Sequence, residues 1–231
     1  MENPDSFKTS APSLEDCLSA YRNAIKQAKG ILCVTVSVKL SAVYSVAEGA
    51  KELAKTEFPL TSVEVLDSET ATAAEGFVVL AAARAAAEGK DLAEVINATK
   101  DIKDRVRCIL FLDTIRHVYR SGRIPKIASQ VGSVLNIKPI LTVSEVVHFR
   151  GVVRDRVHGI DRILQIMRNE VEQNPVHVAV MHAYAPDEAE KLKERVSSEF
   201  NCAELWVTEF SPIMGYACGT GTIGLAFYTG D

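Results

Sequence analysis

Apolar positions recur every three to four residues at Leu14, Leu18, Tyr21 and Ile25, which predicts an amphipathic helix from Ser13 to about Lys29. Ser13 is its expected N-cap, Asp16 stands near the capping-box position, and Gly30 is its stop. The continuous apolar run Ile31–Val36 reads as a buried strand, and Ser41 is placed to cap a second helix running to about Lys55. Pro59 breaks the chain before a strand at Ser62–Leu66. From about Ala71 to Ala87 the chain is apolar nearly all round, so the expectation is a helix buried on several sides. Gly89 ends it, Asp91 opens a helix to about Asp104, and Val106–Leu112 reads as a third strand. Helix and strand alternate throughout, the pattern of an α/β layer with a mainly parallel sheet.

Beyond Asp113 the pattern changes. Gly122 and Pro125 punctuate two short helices, Thr114 to about Arg120 and Lys126 to about Leu135. Strands at Ile137–Thr142 and Val146–Phe149 are close enough to pair as a hairpin. A helix over Val157–Gln173, a strand at His177–Met181, a helix over Pro186–Phe200 and strands at Glu204–Glu209 and Thr222–Tyr228 follow. The expectation is therefore two α/β lobes, residues 1–112 and 113–231.

Composition narrows the function classes. The 231 residues carry 30 acidic and 26 basic side chains, a formal charge of −4, so no general nucleic-acid surface is advertised. The longest apolar stretch, Phe77–Ala83, is far short of a membrane span, and the N-terminus lacks the pattern of a secretory signal, so no stable membrane insertion is expected. Five cysteines, an odd number without a C-x-x-C pair, suit free thiols in a reducing compartment, and a cytoplasmic protein is expected.

Familiar catalytic signatures fail on context. Gly219–Gly224 spells G-x-G-x-x-G, but only seven residues follow it and they read as a strand, so a tight turn is expected there instead of a dinucleotide site. There is no P-loop, H-E-x-x-H or G-x-S-x-G motif. His177 and His182, five apart along a strand, point to opposite faces and do not share a metal. No cofactor or metal is implied. Hydroxyl placement is more informative: Thr9, Ser10 and Ser13 precede the first helix, and Thr35, Ser37 and Ser41 straddle a strand end and the next helix start. Orphan N–H groups and the helix dipole converge at such places, and in open α/β sheets ligands bind at the carboxyl ends of strands. An anion or carboxylate pocket follows.

The same residues carry a family resemblance. Thr9-Ser-Ala-Pro-Ser13 resembles the T-S-x-P-S segment of the DegV family of fatty-acid-binding proteins, and Ser37-Val-Lys-Leu-Ser-Ala-Val-Tyr44 its S-S-x-L-S-G-T-Y. Val65-Leu-Asp67-Ser68 resembles its V-x-D-S, Asp113-Thr-Ile with Ser121-Gly-Arg-Ile124 its D-T-L…G-G-R-I, and Leu135–Leu141 its L-N-I-K-P-I-L. Val153-Arg154-Asp-Arg156 is similar to its v-R-x-r, and Pro212-Ile-Met-Gly215 with Gly219-Thr-Gly221 to its closing P-x-x-G-x-H-x-G-P-G. The motifs run in order from residue 7 to the end.

The resemblance implies two α/β lobes of the DegV type holding a long acyl chain in a cleft between them, with the carboxylate on Thr9, Ser10, Ser37 and Ser41. It implies a carrier without its own catalytic set, which presents a long-chain fatty acid to a separate fatty acid kinase subunit for phospholipid synthesis. Arg123, Arg154 and Arg156 are the candidate docking residues for that subunit, and Lys138 is similar in kind. Departures are visible: Val38, Ala42 and Val43 replace the second Ser, the Gly and the Thr of the second motif, and Ala217 and Thr220 replace the His and Pro of the last. The family's opening T-D-S-x-x-D-L segment is also expected to be missing before Met1. The competing readings are a degenerate member acting as an interaction module without lipid, and a small-molecule phosphotransfer enzyme.

Overall fold

The computed structural model describes residues 9–115, 117 and 137–230, and the two short helices expected between Thr114 and Leu135 fall mainly outside them. The chain divides into two compact units, the first holding residues up to Ala71 and Glu75–Asp104, the second Thr72–Ala74 and the chain from Arg105.

In the first unit, α1 (Leu14–Ile25) leads into β1 (Gly30–Thr35), α2 (Val43–Glu57), β2 (Ser62–Asp67), α3 (Thr72–Ala87, its first three residues grouped with the second unit) and α4 (Leu92–Arg105). β1 and β2 form a parallel two-stranded sheet in register from Gly30↔Ser62 to Thr35↔Asp67. The capping box read from the sequence is present: the Asp16 N–H donates to Ser13 Oγ at 3.1 Å, and the Ser13 N–H donates to the Asp16 carboxylate at 2.8 Å. α1 stops at Ile25, four residues short of expectation. Leu18 and Tyr21 of α1 pack on Ala50 and Ala54 of α2 and on Val63, the small alanines admitting the bulkier side chains. The Tyr21 hydroxyl donates to the Ala47 carbonyl at 3.1 Å.

Two expectations are corrected here. Ala42, not Ser41, is the N-cap of α2, although Ser41 Oγ still accepts the Val43 N–H at 3.3 Å and so relieves one orphan donor. α3 is not buried on several sides. Phe77 and Val78 are buried but Val79 is 43% exposed, so one side of the helix faces solvent.

The second unit contains β3 (Arg107–Phe111), β4 (Lys138–Ser144), β5 (Val146–Val153), α5 (Arg156–Val171), β6 (Val176–His182), α6 (Pro186–Glu199), β7 (Cys202–Glu209), α7 (Pro212–Cys218) and β8 (Ile223–Thr229). Its six-stranded sheet has the order β5-β4-β3-β8-β6-β7; only the β6–β7 pair is parallel. The expected β4–β5 hairpin is present, with a register shift between Ile140 and Leu141. β3, which the pattern of alternation assigned to the end of the first lobe, is instead hydrogen-bonded between β4 and β8 in this sheet. Alternation shows that a strand exists but not which sheet it joins. The core lies where Ile163, Leu164 and Met167 of α5 and Leu192 and Val196 of α6 meet Val178, Val180, Leu225 and Phe227 of the sheet. β8 is buried on both faces, which accounts for its unbroken apolar run.

Candidate functional site

Of the hydroxyl residues singled out in the sequence, Thr35 ends β1 and Ser37 and Ser41 follow it before α2. β1 ends at Thr35, and the Ser68 N–H donates to its carbonyl at 3.0 Å. The loops after the two strands are then tied together, the Ser37 N–H donating to the Thr70 carbonyl at 2.9 Å. Ser37 closes a tight turn whose Leu40 and Ser41 N–H groups donate to its carbonyl at 2.9 and 3.1 Å, while its hydroxyl accepts the Lys39 N–H at 3.2 Å. The Asp67 carboxylate accepts the Val38 N–H at 3.3 Å and the Glu69 N–H at 2.8 Å, and Ser68 Oγ accepts the Thr70 N–H at 3.3 Å. Glu69, in the loop after β2 (φ 54°), and Thr72, the first residue of α3 (φ 65°), both hold left-handed backbone. For a β-branched threonine that conformation is strained, and strain of this kind collects at functional sites.

The structure brings Ser37 and Ser41 into one turn. Ser37 is wholly buried, so it shapes the turn from inside, whereas Ser41 is half-buried. Thr9 is half-buried and Ser10 exposed, both just ahead of α1. Helices α1 and α2 run parallel: Leu14 Cδ1 lies 3.0 Å from where a Cβ on Gly49 would be, and further along Arg22 Nε donates to Glu57 at 2.9 Å. The first turn of α1 is thus six residues, ~9 Å, along α2 from its start. Five residues of extended chain back from α1 to Thr9 can span up to ~17 Å. The carboxyl ends of β1 and β2 lie side by side, and α2 starts beyond the turn that follows β1.

Sequence reading missed Asp67, Glu75 and the particular state of Thr35. Thr35 is 4% exposed and its hydroxyl has no hydrogen-bond partner among the described residues. Glu75, in the first turn of α3, is half-buried; burial first, and the Asp67 charge second, push its carboxyl up to about 7. The V-x-D-S motif and the acidic residue one turn into a helix were the available signals. Below this end, an apolar groove of ≈ 790 Å³ runs along β1 from Gly30 to Val34, walled by Val79, Ala82 and Ala86 of α3 and by Leu92 and Val95 of α4.

In the second unit, Lys138 and Arg156 converge on Asp113. Lys138 Nζ pairs with the Asp113 carboxylate and donates to its carbonyl at 3.2 Å; Arg156 Nη1 lies 3.7 Å from the same carboxylate and donates to the Gly221 carbonyl at 2.9 Å. The Arg156 guanidinium also sits 5.8 Å from the centre of the Phe111 ring. Arg154 is exposed, and Arg123 lies outside the described residues. Gly219 (φ 86°) and Gly221 (φ 80°) make the expected tight turn into β8. His177, bonded to Glu204 at 2.9 Å and stacked on Tyr228, is separate from the buried His182. Among the described residues no group of three His, Cys, Asp or Glu side chains is arranged for a metal, and no helix is long and apolar enough to cross a membrane. Burial pushes the thiols of Cys108 and Cys218 up to about 11 and about 12, so neither supplies a thiolate at neutral pH.

A family model described as "Uncharacterised protein, DegV family" matches residues 1–230. The chain belongs to the DegV family. A DegV domain-containing protein of Clostridium acetobutylicum is 29% identical over 224 residues, 96% of this chain and 78% of the relative. Among solved structures, a DegV family protein from Thermus thermophilus described by its fatty acid binding is 29% identical with a TM-score of 0.86, covering 96% of this chain and 79% of the other. DegV of Bacillus subtilis, described as a fatty acid binding protein, is 25% identical with a TM-score of 0.82, covering 95% and 77%. The mixed α/β architecture with a parallel first sheet is therefore a DegV fold. Sequence resemblance had pointed to this family from the motifs at residues 9–13, 37–44 and 135–141.

Proposed function

We propose that this chain is a fatty-acid carrier. It binds a long-chain fatty acid, holds the carboxyl head at the hydroxyl-lined end of β1 and β2 through Thr9, Ser10, Ser37 and Ser41, and presents it to a separate fatty acid kinase subunit. The observation that supports the reading is the Ser37–Ser41 turn at the carboxyl end of β1, tied to the loop after β2, in a chain 29% identical to a relative described by its fatty acid binding. Small hydroxyls and helix-start amides suit a carboxyl group, which has hydrogen-bond capacity but little bulk. An acyl chain gains ~0.8 kcal/mol per CH₂ removed from water, so affinity comes from apolar surface and register from the head. The carrier does no chemistry of its own on this reading. A kinase subunit would dock on Arg154, Arg156 and Arg123; of the two that are described, Arg154 is the exposed one, while Arg156 is engaged with Asp113 and Gly221.

The test is retention of radiolabelled palmitate by the purified chain, compared with a Thr9→Ala/Ser37→Ala double variant. Expected is one palmitate per chain in the parent and a loss of affinity on the order of 10- to 100-fold in the variant, as for removal of hydrogen bonds to a charged group. A folded parent that retains no palmitate overturns the reading and favours an interaction module without lipid, for which the motif departures Val38 and Ala217 already speak.

A further inference from the structure

The two loops that enter the amino end of the β1–β2 sheet have no part in the reading above. Gly30 and Ser62 begin the strands side by side, and the Ser62 N–H donates to the Lys29 carbonyl at 3.3 Å, so the loops before them lie together. The loop before β2 is a tight turn. The Phe58 N–H closes α2 on the Ala54 carbonyl at 2.7 Å, the Thr61 N–H donates back to the Phe58 carbonyl at 3.0 Å, and Pro59 stiffens the bend. Phe58 is half-buried, whereas Leu60 at the tip is 97% exposed. No other large apolar side chain among the described residues is uncovered to that degree. A turn fixed at both ends thus holds a leucine out in water, where it gains nothing from the fold.

The charges around that leucine are one-sided. Lys51 and Lys55 border the same hollow of ≈ 340 Å³ as Leu60, and Lys26 and Lys29 are exposed in the neighbouring loop. Carboxylates at this end are committed, Glu57 to Arg22 at 2.9 Å, Glu64 to Lys51 at 2.8 Å and Glu88 to Lys90 at 2.7 Å. Neither Lys29 nor Lys55 has a carboxylate within ion-pair distance among the described residues. Lysines after helix ends also complement the helix dipole, which accounts for the charges but not for the uncovered leucine. We propose that this end of the first unit docks reversibly on an anionic lipid bilayer, with Leu60 entering the interface and Lys29 and Lys55 meeting the head groups. A leucine between lysines matches a surface that is negative outside and apolar beneath. The whole chain carries a formal charge of −4, so an anionic surface repels most of the molecule and selects this end. The Gly30 end of the apolar groove along β1, bordered by Lys29, Ser62 and Lys90, lies beside the same loops. The Ser37–Ser41 turn is at the other end of β1, six residues or ~20 Å away, and stays clear of the bilayer. Docking of this kind does not depend on what the chain carries.

The experiment is co-sedimentation of the intact chain with phosphatidylcholine vesicles and with vesicles containing about 30% phosphatidylglycerol, at about 0.1 M and about 0.5 M NaCl. Expected is binding about tenfold tighter to the anionic vesicles than to the neutral ones, and its loss at the higher salt. Leu60→Ser is expected to weaken it about tenfold, and Lys29→Gln with Lys55→Gln about fivefold per lysine. All three positions are exposed, so the variants are expected to melt with the parent. Leu60→Trp gives a second readout, because its added emission moves to shorter wavelength on anionic vesicles as the ring enters the interface. No binding by the parent, or equal binding by the parent, Leu60→Ser and the lysine variant, overturns the proposal. So does a Leu60→Trp emission that the vesicles leave unchanged. The carrier reading is tested apart from this, since palmitate retention is measured without vesicles.

Discussion

At the residue scale, Glu75 determines how stability should respond to pH. Its carboxyl titrates at about 7 in the folded chain against 4.5 ordinarily, so between those values the folded state holds a proton that the unfolded state has lost. Stability therefore falls as pH rises from about 4.5 to about 7 and is level above. Glu75→Gln removes that penalty. It is expected to be more stable than the parent at pH 8, by on the order of 1–2 kcal/mol after allowance for solvent screening, and equal to it at pH 4.5. Urea midpoints at the two pH values check this; a variant that is less stable at pH 8 contradicts the assignment. The residue scale is also where sequence reasoning had least reach. Ser37 and Ser41 stood out because hydroxyls cluster at a strand end and helix start. A buried hydroxyl at Thr35, unpartnered among the described residues, and a raised carboxyl at Glu75 depend on what surrounds them, and spacing carries no signal for either.

Elements were legible wherever a local rule decided them. The Ser13–Asp16 capping box, the β4–β5 hairpin, and β6 with its two histidines on opposite faces follow from caps and period-two patterning. β3 was found as a strand but assigned to the wrong neighbours, because its pairing with β4 and β8 is a long-range choice. α7 was missed altogether. Ser211 followed by Pro212 is an N-cap and N1 signature, and the Ser211 hydroxyl does accept the Met214 N–H at 3.4 Å, but seven residues carry too little periodicity to read. Close packing of elements makes its own prediction. A Cβ on Gly159 of α5 would stand 2.2 Å from the Phe111 ring of β3, and Phe111 is fully buried. Gly159→Ala is expected to destabilise the chain by about 1–3 kcal/mol through overpacking. Chemical denaturation measures it, and an unchanged midpoint means that α5 can shift away from β3.

For the molecule as a whole, the DegV fold accounts for the order of the elements and the motifs account for the family, while the ligand and its destination are the proposal. A carrier makes a simple kinetic prediction. The purified chain, given palmitate and ATP, is expected to release no ADP above a no-protein blank, because on the proposed carrier reading the phosphoryl transfer belongs to another subunit. ADP formation that survives further purification and is lost in a Ser37→Ala variant would make the chain an enzyme. The apolar run of α3, with Val79 left exposed above the groove along β1, also fits a protein that handles apolar ligands better than one built around polar substrates.

The most direct measurement is native mass spectrometry of the freshly purified chain, followed by denaturing extraction and identification of what is released. The account predicts one long-chain fatty acid per polypeptide, lost when Thr9 and Ser37 are both replaced by alanine. A folded chain that carries no fatty acid, and takes none up when myristate or palmitate is supplied, contradicts it.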